Sequence, residues 1–123
     1  DADVLLAFDQ NEAIRNLHFL KDGGHCVINV HRREAFQNES LKTYLAKRKI
    51  DAFLLNGYEI LNEHMGGNYL FLNVLILGAM GGLNIGGISF EEIKEAVSTL
   101  SPAKFRDDNL KALELGKNAV HAS

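Results

Sequence analysis

Two short apolar runs with an amphipathic segment between them constrain the fold of this 123-residue chain more than any other feature. Residues 4–8 and 26–30 are apolar with little alternation, as in strands covered on both faces. Asp9 and Glu12 are typical of a helix start, and residues 23–24 are two glycines typical of a helix end. Between those signals, apolar side chains recur at helical spacing: Ala13, Ile14, Leu17 and Leu20. Because strand–helix–strand units are right-handed and parallel, the sequence predicts a parallel sheet.

The next segments extend this pattern. Asn38 is predicted to cap a helix that carries Leu41, Tyr44, Leu45 and Arg48. Residues 52–55 form a third short strand, and residues 58–65 a short helix that ends at Gly66 and Gly67. We therefore predict one α/β domain over residues 1–123, three-layered, with a mainly parallel sheet flanked by helices and a helical C-terminal region. An antiparallel meander before residue 56 would contradict it.

Residues 69–80 have the length of a helix and are apolar on nearly every side, with Asn73 as the exception. A helix that is apolar all round must be buried all round, and in a domain this small that usually takes a partner chain. The sequence therefore predicts an interface on this helix, and a homodimer when the partner is absent. The residues assigned to that interface are Leu72, Leu75, Ile76 and Gly78.

The C-terminal third carries the clearest local pattern. Ser89 and Glu92 predict a capping box, which Ile88 and Ile93 flank as a hydrophobic staple. An inner stripe of that helix is predicted at Ile93, Val97 and Leu100. Pro102 is predicted at the first position of a last helix. The residues that share one face there are Phe105, Ala112, Leu113, Gly116 and Val120.

Composition excludes several classes of protein. The formal net charge is −3 and the isoelectric point is about 5.9, which argues against a nucleic-acid-binding protein. One cysteine excludes a disulfide framework and a four-thiolate metal site. The most apolar stretch, residues 69–83, is interrupted and shorter than the roughly 20 residues that span a bilayer. No signal peptide is visible, so we expect a cytoplasmic protein without membrane contact.

No residue pattern identifies a reaction, and no catalytic residue is assigned. The five histidines are scattered without ligand spacing, so no metal site is predicted, and Cys26 reads as core packing. His31, Arg32 and Arg33 follow the second strand, where an anion could bind, although a solvated loop is favoured. The glycines at 81, 82, 86 and 87 follow a helix and lack the Lys-Ser/Thr pair of a phosphate loop.

Four motifs in order nevertheless carry a resemblance. They are Gly66-Gly67-Asn68, Asn73-Val74-Leu75-Ile76-Leu77-Gly78-Ala79, Ser89-Phe90-Glu91-Glu92-Ile93-Lys94-Glu95-Ala96 and Asn109-Leu110-Lys111-Ala112-Leu113-Glu114-Leu115-Gly116. Together with the opening segment, residues 2–24, they resemble the gamma subunit or domain of 2-oxoacid:ferredoxin oxidoreductases. The opening segment looks most like the beta subunit of the indolepyruvate enzymes. The chain departs from the family where Leu113 replaces Phe and Tyr69-Leu70 replaces Pro-Arg. The family's N-terminal strand and glycine-rich loop are also expected to be missing.

The resemblance implies a role. Such enzymes decarboxylate a 2-oxoacid of the indolepyruvate, pyruvate or ketoisovalerate type to an acyl-CoA and pass the electrons to ferredoxin. Thiamine diphosphate, magnesium and iron–sulfur clusters would be held by partner subunits and not by this chain. The resemblance places Gly67, Asn68 and Asn73 on the substrate or coenzyme A side of the site. The alternative is a stand-alone binding or assembly domain that has kept the fold, and a neighbouring gene with thiamine-binding motifs would favour the enzyme subunit.

Overall fold

The computed structural model describes residues 2–30 and 39–121, and the chain divides into two compact units, Asp1–Asn56 and Gly57–Ser123. The first unit contains all the strands of the described residues: β1 (Ala2–Ala7), β2 (Leu20–Asn29) and β3 (Asp51–Leu55), with helices α1 (Gln10–Asn16) and α2 (Glu39–Lys47). The second unit is helical: α3 (Gly57–His64), α4 (Leu72–Gly82), α5 (Phe90–Leu100) and α6 (Arg106–His121).

The sheet of the first unit has the order β1-β2-β3, and both strand pairs are parallel. The helix α1 lies between the two strands β1 and β2 in sequence, as the apolar pattern predicts. It begins with the predicted cap, since the Glu12 backbone N–H donates to the Asp9 carboxylate at 2.7 Å. The parallel α/β fold predicted from the sequence is therefore confirmed.

The second strand begins earlier than predicted, and the glycines at 23–24 do not end a helix. Helix α1 ends at Asn16, a short 3-10 turn spans Leu17–Phe19, and β2 starts at Leu20. Between the pairs Ala2↔Leu20 and Val4↔His25, β1 advances two residues while β2 advances five, so β2 carries a bulge. Glycine in a strand commonly marks such a bulge, which explains why this pair was mistaken for a helix end.

The core of the first unit lies where α1 and α2 pack on the sheet. Leu41 and Leu45 of α2 and Leu5 of β1 are partly buried and pack against it. The buried residues of this core are Ala7, Ala13, Leu17, Leu20, Cys26, Ile28, Val30 and Ile50. β1 is an edge strand in which residues 4–6 are half-buried, and Phe8 beyond it is exposed. The sequence pattern predicts a first strand that is covered on both faces. Within the described residues of the chain, that prediction is wrong for β1.

Arg48 fastens the bulged part of β2 to the end of α2. Its guanidinium donates to the Leu17 carbonyl at 3.0 Å, to the Asp22 carboxylate at 2.8 Å, and to the Leu20 carbonyl. The Tyr44 hydroxyl accepts a further hydrogen bond at 2.7 Å. The hydrogen bond that Arg48 donates to Asp22, and after it the one donated to Tyr44, raise the pKa of Arg48 above its ordinary value. The Arg48 side chain therefore holds the irregular backbone at Leu17 and Leu20 against the end of α2.

In the second unit, the caps of α3 and α5 are as predicted. Gly66 and Gly67 have φ of +65° and +77° after α3, and the Gly67 N–H donates to the Leu61 carbonyl at 2.9 Å. Ser89 and Glu92 form the capping box of α5. Helix α6 begins at Arg106 rather than at Pro102, because residues 102–105 form a separate turn.

No helix of residues 2–30 and 39–121 is long and apolar enough to cross a membrane. The predicted cap at Asn38 and the basic triplet His31, Arg32 and Arg33 lie outside the described residues.

Candidate functional site

The three residues assigned to the substrate or coenzyme A side lie at the N-terminal end of α4. Gly67 closes the turn after α3, and Asn68 caps the 3-10 turn Tyr69–Phe71 by accepting the Leu70 N–H at 3.1 Å. Asn73 lies in the first turn of α4, is exposed, and accepts the N–H of the residue that follows it. In both asparagines the amide oxygen is engaged in local structure, so the amide nitrogen is the group that remains for a ligand.

The four residues assigned to an interface lie inside the chain. Leu75 and Ile76 are at most 1% exposed, Leu72 is 8% exposed, and Gly78 is buried. Helix α4 packs against α3, α5 and α6 of its own unit. The prediction that a partner chain must cover these positions is therefore wrong, because three neighbouring helices already cover most of the apolar surface of α4.

Helix α6 approaches α4 so closely that their backbones touch. A Cβ atom added at Gly78 would fall on the carbonyl oxygen of Leu113, and one added at Gly116 would fall on the carbonyl oxygen of Leu75. The two glycines thus face each other's helix across one crossing, where neither helix has room for a side chain. Gly78, which the sequence assigns to an interface with a partner chain, therefore serves close packing within the chain itself.

The part of α4 that its own chain leaves open forms one wall of a groove. Val74 and Leu77 line it from α4, and α5 supplies the opposite wall. The groove has a volume of about 530 Å³. The remaining lining residues are Ile88, Glu92, Ile93, Ala96, Val97, Leu100, Ser101, Pro102 and Asn109. Because all of these belong to the second unit, the groove is a property of that unit alone.

The polar groups of the groove are already engaged in local structure. Glu92 accepts the Ser89 backbone N–H at 3.1 Å, and Asn109 donates its side-chain amide to the Ser101 hydroxyl at 2.9 Å. The apolar wall is more open, since Leu100 is 81% exposed and Ile88 is 41% exposed. Such a surface binds apolar groups and offers no acid–base pair for a reaction.

The groove is not among the features predicted from the sequence. The apolar spacing predicts Leu100 on the inner stripe of α5 with Ile93 and Val97, but only those two pack inward. The sequence signal for this wall is a second stripe on α5 at i, i+4 spacing, formed by Glu92, Ala96 and Leu100.

Titratable side chains do not converge on a metal or nucleophile site in the described part of the chain. Among residues 2–30 and 39–121 no three His, Cys, Asp or Glu side chains lie close enough to hold a metal ion. Cys26 is completely buried in β2, and burial, with a smaller effect of the Asp51 carboxylate, raises its pKa to about 12. A thiol of that pKa is neither a nucleophile nor a metal ligand near neutral pH.

A solved structure with the same fold defines the class of protein. The gamma subunit of a keto/oxoacid ferredoxin oxidoreductase from Geobacter sulfurreducens superimposes with a TM-score of 0.73 at 26% sequence identity. The match covers 99% of this chain and 66% of that subunit. The resemblance found in the sequence motifs therefore extends to the fold.

The sequence comparisons identify the family. The family model of pyruvate ferredoxin/flavodoxin oxidoreductase matches residues 1–119, and the chain belongs to this family. It is 31% identical over 128 residues to the indolepyruvate oxidoreductase subunit IorB of Pyrococcus horikoshii. It is 29% identical over 135 residues to the same subunit of Thermococcus kodakarensis. Each match covers 97% of this chain, and the chain spans 63% of the length of either relative.

Proposed function

We propose that the chain is a subunit, or part of one, of a thiamine diphosphate-dependent 2-oxoacid:ferredoxin oxidoreductase that converts the 2-oxoacid to an acyl-CoA. The observation that carries the proposal is the family match over residues 1–119. The indolepyruvate oxidoreductase relatives favour an aromatic 2-oxoacid over pyruvate or ketoisovalerate. The reaction would take place in the assembled, cytoplasmic complex, because the groove and the N-terminal end of α4 offer no acid–base pair or nucleophile.

The proposal assigns thiamine diphosphate, magnesium and the iron–sulfur clusters to partner subunits. Iron–sulfur clusters need several thiolates, whereas this chain has Cys26 alone, and its thiol is buried. Electrons would then reach ferredoxin through the partners, and this chain would shape and stabilise the complex. The thiamine diphosphate supplies the electron sink for the decarboxylation when it is bound in the partner.

On the coenzyme A side, the proposal uses the amide groups of Asn68 and Asn73. Their amide nitrogens can donate hydrogen bonds to the carbonyl groups of the pantetheine arm. Residues 57–73 contain no lysine or arginine, so the phosphates of coenzyme A would be bound by a partner subunit. We expect Asn73→Ala to raise the KM for coenzyme A with little change in kcat, and Asn118→Ala, an exposed change on α6, to alter neither.

The test of the proposed function is reconstitution. The chain is co-expressed with the thiamine diphosphate-binding subunit of an indolepyruvate oxidoreductase, and ferredoxin reduction is measured with a 2-oxoacid and coenzyme A. We expect a stable complex whose activity requires this chain. Activity that is the same without the chain would contradict the proposal and would favour a stand-alone binding domain.

A further inference from the structure

The groove between α4 and α5 extends along a whole helix. Its α5 wall contains Glu92, Ala96 and Leu100, which follow one another at intervals of four residues, and Ile88 adds to this wall from just before the helix. Helix α5 has 11 residues and is therefore about 16 Å long. The small side chain of Ala96 stands at the middle of this wall, where it lets another element approach closely. An elongated apolar groove of this kind fits the apolar stripe of a helix.

The charges of the second unit indicate which side chains should flank the apolar stripe of a helix bound in the groove. Residues 57–123 contain eight acidic and five basic residues, so this unit carries the whole net charge of −3. Four of its five basic side chains already interact with other groups of the same unit. Lys94 pairs with Glu114, Arg106 donates to the Ser98 and Ser101 carbonyls, and Lys104 and Lys117 lie over the rings of Phe105 and Phe90.

Four exposed carboxylates lie on α5 and α6, the two helices that contribute Glu92 and Asn109 to the groove lining. Glu91 and Glu95 are exposed on α5, and Asp107 and Asp108 are exposed in the first turn of α6. In the part of the chain that the structure describes, none of these four forms an ion pair with a lysine or arginine. Glu92, in the groove wall itself, adds a fifth negative charge. A partner that covers the apolar groove and brings positive charges to its edges would satisfy both features.

We propose that the groove between α4 and α5 binds an amphipathic helix of another polypeptide, whose apolar stripe is flanked by lysine and arginine residues. The inference rests on the proposed function in one respect: it takes that helix to belong to another subunit of the same enzyme. A second copy of this chain fits less well, because a twofold contact through the groove would bring the α5 carboxylates of both copies together.

The first test compares how tightly the purified full chain binds apolar helical peptides of opposite charge. Two labelled peptides of about 14 residues carry leucines at positions i, i+3, i+4 and i+7; one has lysines elsewhere and the other glutamates. By fluorescence anisotropy we expect the lysine peptide to bind at least about tenfold more tightly than the glutamate peptide. Equal binding of the two peptides would overturn the proposal.

Variants of the full chain show where the peptide binds. Leu100→Asp puts a carboxylate into the groove wall and is expected to weaken lysine-peptide binding about tenfold, since it disrupts the apolar contact. Because Leu100 is 81% exposed, this variant is expected to fold. The control is Leu70→Asp, which alters a 74% exposed leucine that does not line the groove and should leave binding unchanged. Equal effects of the two variants would contradict a groove site.

The same two variants are then introduced into the co-expressed complex. We expect Leu100→Asp to reduce the yield of complex and Leu70→Asp to leave it unchanged. Full assembly with Leu100→Asp overturns the groove proposal and leaves the proposed function intact. Groove-dependent peptide binding with no oxidoreductase complex supports the occupant's chemistry and overturns the proposed function. A dimer of the chain alone, lost in Leu100→Asp by sedimentation, would assign the groove to a second copy and overturn the proposal.

Discussion

The thiol of Cys26 is enclosed in β2, and its pKa of about 12 makes the stability of the chain depend on pH. The unfolded thiol ionises near 9.0, whereas the folded thiol keeps its proton to about pH 12. Between these values the folded state binds more protons than the unfolded state, so stability falls as pH rises.

We therefore expect the wild-type chain to lose about 2 kcal/mol more stability than Cys26→Ala when the pH is raised from about 7.5 to about 10.5. Urea unfolding followed by circular dichroism measures the difference, and the variant controls for lysines and tyrosines that titrate in the same range. Equal losses in both proteins would show that burial does not hold the thiol in its protonated form.

Gly78 and Gly116 allow the contact between α4 and α6, and a methyl group at either position would strike backbone that cannot move aside. We expect Gly78→Ala and Gly116→Ala each to cost about 1–3 kcal/mol of unfolding free energy, in spite of alanine's better helix propensity. Gly82→Ala is the matched change and should cost less, since its new methyl group would meet the Val120 side chain at 2.6 Å and the Lys117 Cα at 3.1 Å but no backbone carbonyl. A Gly82→Ala loss as large as the other two would argue against a special crossing.

Single residues were predictable where their effect is local. The Asp9 and Ser89 caps follow from the residue type and from spacing within one helical turn, and both are present. The contact partners of Gly78 were not predictable, because a glycine in a sequence shows that something comes close but not which element does. The assignment of Asn68 and Asn73 to the coenzyme A side likewise rests on the family resemblance and not on a local pattern.

At the scale of elements, two hydrogen bonds of the capping box fix the N-terminus of α5, the helix that forms one wall of the groove. The Ser89 hydroxyl accepts the Glu92 N–H and the Glu92 carboxylate accepts the Ser89 N–H, both at 3.1 Å. We expect Ser89→Ala to lower the free energy of unfolding by about 1 kcal/mol and Ser89→Asp to retain most of it. Thr99→Ala, an exposed change on the same helix, should be neutral, and a loss in Thr99→Ala equal to that in Ser89→Ala would refute a capping effect.

Helix α4 was assigned to an interface because its sequence has no polar face, but an apolar helix can be covered by its own chain. Periodicity reports that a face is buried and cannot report by which neighbour. The homodimer predicted through Leu72, Leu75 and Ile76 therefore loses its stated basis, since those side chains are not available to a partner.

Substitution by aspartate distinguishes an α4 that is buried within its own chain from an α4 that forms an interface with a partner. Leu75 is completely buried, so Leu75→Asp is expected to cost more than about 3 kcal/mol and to unfold the second unit. Leu100→Asp, at the exposed edge of the groove, should retain the helical circular dichroism of the wild type. If Leu75→Asp instead kept its helix content and turned a dimer into a monomer by sedimentation, the interface assignment would be restored.

For the whole molecule, the sequence predicted the parallel sheet, the order of the helices and the family, since each follows from patterns within some 30 residues or from motifs in order. It did not predict the division at residues 56 and 57. Nor did it predict the acidic surroundings of the groove, which depend on which cations the helices hold. Such pairings arise when distant segments meet, and no spacing within one segment encodes them.

The division of labour in the proposed enzyme leads to a prediction for the chain on its own. With Cys26 as its single, buried thiol, the purified chain should take up no iron when it is incubated with iron and sulfide, and no visible absorption should develop. Calorimetry with thiamine diphosphate and magnesium should show no binding to the chain alone, because its sequence contains no phosphate-binding-loop motif. The co-expressed complex is the control and should contain both groups. Iron or thiamine diphosphate bound by the isolated chain would contradict the assignment of these cofactors to partner subunits.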